Sequence, residues 1–182
     1  MLRPVLLAGA LLLAGCAVAV PPDVAQLRPG QLGRDGDPDT TALDLAQYAF
    51  ADSSRTYGRP ADAARAAAAL DYLAGAFIAR PSNISAETQA DLLQSRQELR
   101  AALAVAPGAP SQAVVDRLTA AAGALSANDE AGALRQLGPP VFTVPPGQVL
   151  ARLSNLPYLR VANVATARAA NEMLAPDNPN GL

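Results

Sequence analysis

Histidine, lysine and tryptophan are absent from this 182-residue chain, and cysteine occurs once. Each absence removes a class of chemistry. Without histidine there is no ordinary proton shuttle near neutral pH, no Ser-His-Asp arrangement and no imidazole ligand for a metal. One cysteine makes neither an internal disulfide nor a zinc thiolate cluster, so packing alone must stabilise the fold. With no lysine there is no P-loop, and Gly30 and Gly33 follow no strand that would make them a nucleotide cradle. No catalytic residue, cofactor site or metal site is therefore expected, and the chain reads as a non-enzyme. Fourteen basic against 16 acidic residues, net −2, leave no overall positive field to recruit nucleic acid.

What is present begins with the leader. Arg3 is followed by an apolar run, broken by one glycine, from Val5 to Leu13, and the apolar character continues to Val20 before Pro21-Pro22. That length is short of the roughly 20 residues a helix needs to span a bilayer. A cation, a short apolar segment and small residues describe a cleaved secretory signal. The run closes on Leu13-Ala14-Gly15-Cys16.

These residues resemble the signal peptide and lipobox of bacterial lipoproteins. The resemblance implies that Cys16 carries a diacylglycerol thioether, that cleavage removes residues 1–15, and that the new amino group is acylated. Buried acyl methylenes contribute about 0.8 kcal/mol each, and two chains give stable anchoring. The membrane is then a partner through the acyl chains on Cys16. Ala17, where an aspartate would favour the inner membrane in enterobacterial lipoproteins, points to the outer membrane, with the protein facing the periplasm. Removing Arg3 leaves 13 arginines against 16 acids, net −3, on a mature chain of 167 residues. That is enough for one domain with a sizeable core.

Residues 16–39 read as a lipidated N-terminus and flexible tether. Pro21, Pro22, Pro29, Pro38, Gly30, Gly33 and Gly36 interrupt them, and too little apolar surface remains to offset ordering entropy. Residues 40–175 read as the folded domain and 176–182 as a polar tail. Beyond residue 39 the prolines fall between periodic stretches and never inside one, as helices require.

Helices are predicted over residues 41–53, 60–80, 85–105, 111–127 and 159–174, with short ones over 130–137 and 148–155. The first has Thr41 and Asp44 as a capping pair. In the second, Ala63, Ala66, Leu70, Leu73 and Phe77 form one apolar seam whose small residues let a neighbour approach closely. Residues 138–147 form an extended strap with Val141, Phe142 and Val144 available to cover the core. The expected fold class is all-α, an antiparallel bundle-like domain of about four long and two short helices.

Two groups of residues are candidates for function. The acids Asp44, Asp62, Asp71, Glu87, Asp91 and Glu98 are the candidates for carboxylate-only glycan hydrolysis, but most fall at helix starts or exposed helical positions. Arg55-Thr56-Tyr57-Gly58-Arg59 precedes the second helix, so Arg55 and Arg59 flank free backbone N–H groups at a positive dipole end. Arg55, Tyr57 and Arg59 are the candidate contacts for an anion or partner. The plainer reading is an interhelical turn with solvated arginines. The functional expectation is a non-catalytic envelope lipoprotein whose helical domain binds an envelope protein or serves as a structural module. Alternatives are a carrier of a small apolar or anionic ligand and, behind it, the carboxylate hydrolase.

Overall fold

A computed structural model describes residues 23–80 and 82–175. The fold is all-helical: among the described residues there are seven α-helices and no strand. They are α1 (Pro38–Ala51), α2 (Pro60–Ala79), α3 (Ala86–Ala102), α4 (Ser111–Ser126), α5 (Glu130–Gln136), α6 (Pro146–Ser154) and α7 (Arg160–Leu174). A single 3₁₀ turn, Ser53–Arg55, links α1 towards α2. Five helices are long and two short; the expected class put about four long, but all seven predicted stretches are helical.

Helix starts follow local chemistry. Proline occupies the first turn of α1, α2 and α6, where its missing N–H costs nothing. The Ser85 hydroxyl accepts from Thr88 N at 3.2 Å to cap α3. The first helix corrects the expectation: it begins at Pro38, and Asp37 Oδ1 accepts from Thr40 N at 2.9 Å. An aspartate directly before a proline at the first helical position makes a better start than the Thr41–Asp44 pair.

Helix α2 is the pillar of the domain. It packs most heavily on α4 and α1, then on α3 and α6, while α7 closes against α3 and α1. From Ala63 to Phe77 every residue except Arg65 is buried, so the apolar seam is in fact a whole circumference. Helices apolar on all faces sit inside a domain, not on its rim. Alanine is what permits this, because a helix without bulk can be approached from several sides.

The strap behaves as the sequence implies. Val141 and Phe142 are buried, and Val144 packs partly against the core. Phe142 pairs with Val105 in an isolated antiparallel bridge, with Ala106 N donating to Val141 O at 2.8 Å and Thr143 N to Ala104 O at 2.9 Å.

The tether does not. From Asp23 onward the segment assigned to a flexible tether lies packed on the domain, with Ala25 and Leu32 buried. Glycine at position 75 makes room: a Cβ there would stand 2.6 Å from Asp23 O. Polar side chains supply the rest. Gln26 and Gln112 exchange bonds at 2.7 and 3.2 Å, and Gln31 Nε2 donates to Asp116 Oδ1 at 3.0 Å and Thr119 Oγ1 at 3.2 Å. A segment poor in apolar residues is ordered here because its polar groups find partners on α3 and α4 and its backbone lies close against Gly75 of α2. The folded unit thus includes residue 23 and does not begin at residue 40.

Candidate functional site

Two clusters of arginine stand out, one closed and one open. The closed cluster centres on Asp71, fully buried on α2 and bound by a guanidinium fork from α3. Arg100 Nε donates to Asp71 Oδ2 at 2.6 Å and Arg100 Nη2 to Asp71 Oδ1 at 2.8 Å. The same guanidinium reaches Ala109 O at 3.0 Å, Ser111 Oγ at 2.7 Å and Asp23 Oδ2 at 3.5 Å. Arg96 Nη1 joins through Asp23 O at 3.0 Å and Ser111 Oγ at 3.1 Å. Ser111 N and Oγ donate to the Asp23 carboxylate, at 2.9 Å for the shortest contacts.

Electrostatics follow from these contacts. Burial raises the Asp23 carboxyl, but the Ser111 hydrogen bonds and the charges of Arg100 and Arg96 outweigh it and hold Asp23 below its usual range. Burial lowers Arg100, yet its bonds and attraction to Asp71 and then Asp23 leave it raised. Burial dominates for Arg96, whose pKa is lowered. Every buried side-chain nitrogen and oxygen among the described residues has a partner. This is a satisfied lock that fixes α2, α3, α4 and the N-terminal segment to one another.

The candidate acids divide accordingly. Asp71 is the exception to their expected exposure, and its burial and bidentate partner close it to any substrate. Asp44, Asp62 and Glu87 are exposed, while Asp91 and Glu98 are half-buried. Arg168 on α7 bridges Glu87 at 2.7 Å and Asp91 at 3.1 Å, tying α7 to α3. No group of three or more metal-ligating side chains converges among the described residues.

The open cluster is a cleft of about 160 Å³ between the residue-34 loop, α1, the 3₁₀ turn and the start of α2. Its charged lining is Arg34, Arg55, Arg59, Arg65 and Asp62, and its apolar wall is Leu45, Ala49 and Ala66 with the Tyr48 ring. Arg55 stacks on Tyr48 at 4.4 Å to the ring centroid and donates to Tyr48 O at 2.8 Å. Arg65 is held by Asp62 at 3.1 Å and by Ser126 Oγ. The side chains of Arg34 and Arg59 make no hydrogen bond or ion pair with a described residue.

Of the sequence-derived contacts, the structure brings Arg55 and Arg59 to one cleft and leaves Tyr57 out of it. The Tyr57 side chain is 69% exposed and does not line the cleft. Arg34 and Arg65 were missed. Arg65 carried a usable signal, one turn into α2 on the side of Asp62; Arg34 carried none, because its segment read as tether. Cys16 lies outside the described residues.

No protein-family model matches the chain, and no curated protein or solved structure matches it either. Function must therefore be argued from these residues alone.

Proposed function

We propose that the protein is a lipid-anchored, non-catalytic component of a bacterial cell envelope, whose helical domain faces the periplasm and binds a partner there. The observation that carries the anchor is the lipobox Leu13-Ala14-Gly15-Cys16 behind a short apolar run. No helix among the described residues is long and apolar enough to cross a membrane, so a covalent anchor has no competing span there. Ala17 favours the outer membrane.

The packed segment from Asp23 changes what such an anchor does. Between Cys16 and Asp23 the chain has seven residue steps. At roughly 3.3–3.6 Å per residue they reach about 25 Å at most. A flexible 23-residue tether would instead wander over a similar root-mean-square distance and extend much further. The domain is thus leashed, with the face at Asp23 and Val24 turned towards the bilayer.

A partner-binding role rests on the open arginine cleft, where four guanidinium groups stand against one carboxylate. The alternative, a carrier of a small apolar ligand held between alanine-lined helices, draws no support from α2, which is packed on every side.

Two measurements test the proposal. Intact-mass analysis of native material should find residues 1–15 absent and acyl chains on Cys16; an unmodified thiol on the full chain would overturn the anchor. Cross-linking in intact cells should recover one dominant envelope protein, and a Tyr57→Ala/Arg59→Ala variant should weaken that recovery through Arg59. Recovery of no partner would overturn the binding role.

A further inference from the structure

We infer that the cleft formed by Arg34, Arg55, Arg59 and Arg65 is a binding site for a phosphate group. The inference rests on the binding half of the reading above and not on the lipid anchor. Four guanidinium groups against one carboxylate, Asp62, leave three positive charges around a cleft in a chain whose net charge is −2. Asp52 lies close enough to Arg55 to feel its charge but is not part of the lining.

The surplus is organised. Asp62 is already engaged by Arg65, so the remaining three arginines have no carboxylate in the cleft to neutralise them. Arg55 is oriented by the Tyr48 ring and carbonyl and keeps its other N–H groups for a ligand. Arg34 and Arg59 approach from separate segments, the N-terminal loop and the residue before α2, with their forks unused. The comparison within the same fold is direct: in the closed cluster each guanidinium is met by a carboxylate, a carbonyl or a hydroxyl, whereas here Arg34 and Arg59 face no acceptor among the described residues.

Size and charge choose the ligand. Pockets for drug-sized molecules run to about 300–1,000 Å³, so a cleft of about 160 Å³ admits only a small group. A phosphate monoester carries about −1.5 to −2 charge at pH 7 and three acceptor oxygens, which match several forked donors better than one carboxylate does. The wall of Leu45, Ala49 and Ala66 with the Tyr48 ring offers contact to the carbon skeleton that bears the phosphate. A soluble phosphate ester and a phosphomonoester lipid headgroup share this chemistry.

Calorimetric titration of the full chain in detergent tests the site with two probes, inorganic phosphate and short-chain dihexanoyl phosphatidic acid, with dihexanoyl phosphatidylcholine as control. Saturable binding of one equivalent is expected, weakened at least tenfold in an Arg34→Gln/Arg59→Gln variant and steeply reduced by salt. Binding of inorganic phosphate assigns the site to phosphate in solution; binding of phosphatidic acid alone assigns it to a headgroup. The ligand-free unfolding midpoint of the double variant should be unchanged, because neither side chain has a partner to lose among the described residues. Tyr57→Ala should bind as the parent does. No saturable binding of either probe, equal binding by the double variant, or a loss confined to Tyr57→Ala would overturn the inference. A Cys16→Ser chain should still bind, so failure of the anchor and failure of the cleft are read separately.

Discussion

The two arginine clusters use the same side chain for opposite ends. Around Asp71 the guanidinium of Arg100 is only 17% exposed, forked on a carboxylate, and backed by Asp23, Ser111 and a carbonyl. Around the start of α2, Arg34 and Arg59 are exposed and unpaired among the described residues. In the first place charge is balanced and desolvated, so its removal is felt by the fold. In the second it is unbalanced and hydrated, so its removal is felt only by whatever binds. Chemical identity therefore says little about an arginine's role; the acceptors facing it say most.

The comparison breaks most sharply at Asp71. Asp71→Ala leaves the half-buried Arg100 with Asp23, at 3.5 Å, as its remaining carboxylate, and we expect a loss of about 3 kcal/mol in denaturant unfolding. A loss below 0.5 kcal/mol would show that the closed cluster is not a lock. Next comes Gly75→Ala. Its Cβ would stand 2.6 Å from Asp23 O, so either the N-terminal segment lifts away or the helix shifts, for about 1–3 kcal/mol. Hydrogen exchange should locate the change in residues 23–33 and on the Asp23 contacts of Ser111; unaltered protection there would mean the segment is not held by this approach.

Acid separates the clusters without mutation. Asp23 and Glu172 both have folded-state pKa values below their ordinary ones. For Glu172 burial opposes the shift, and hydrogen bonds from Ser85 N, Thr88 and Ser85 Oγ with the Arg168 charge overcome it. A lowered carboxyl pKa contributes stability above the unfolded value, and that contribution fades as pH falls through the folded one. Lowering the pH from about 5 towards 2 should loosen residue 23 from Ser111 before α2 melts, as amide chemical shifts would report. Simultaneous loss of both would contradict the order. The smallest effect belongs to the open cleft: Arg34→Gln/Arg59→Gln should change unfolding stability by no more than about 0.5 kcal/mol, as for surface positions without a structural role.

Helix placement was legible because each signal is local. Pro60 and Ser85 mark starts that tertiary contacts did not move, and α2, α3, α4 and α7 lie within a few residues of where periodicity puts them. The α3 terminus shows the limit: apolar spacing runs to Val105, yet the helix ends at Ala102, because Ala104 turns into a left-handed conformation at φ 55° and Val105 pairs with Phe142. The N-terminal segment was illegible for a different reason. Counting its prolines and apolar residues measures what it could bury by itself, not the hydrogen bonds that Gln112, Asp116 and Ser111 offer from some 80 residues away.

The candidate site was half legible. Arg55 and Arg59 are neighbours in sequence and share the cleft, so a short motif sufficed to find them. Tyr57 lies between them, yet in a tight turn adjacent side chains diverge, and it points away. Asp71 looked like any polar residue on an amphipathic helix because alanine contrasts too weakly with it to reveal which faces are covered.

The all-helical class and the helix starts marked by proline and caps could be read over a few neighbouring residues, and the Leu13-Ala14-Gly15-Cys16 stretch on which the proposed anchor rests is equally local. Long-range packing is what encloses α2 on every side, brings Asp23 into the domain, and sets Arg34 and Arg65 beside Arg55 and Arg59. Those facts depend on which residues distant in the chain supply volume or a hydrogen-bond partner, and local order carries no record of that.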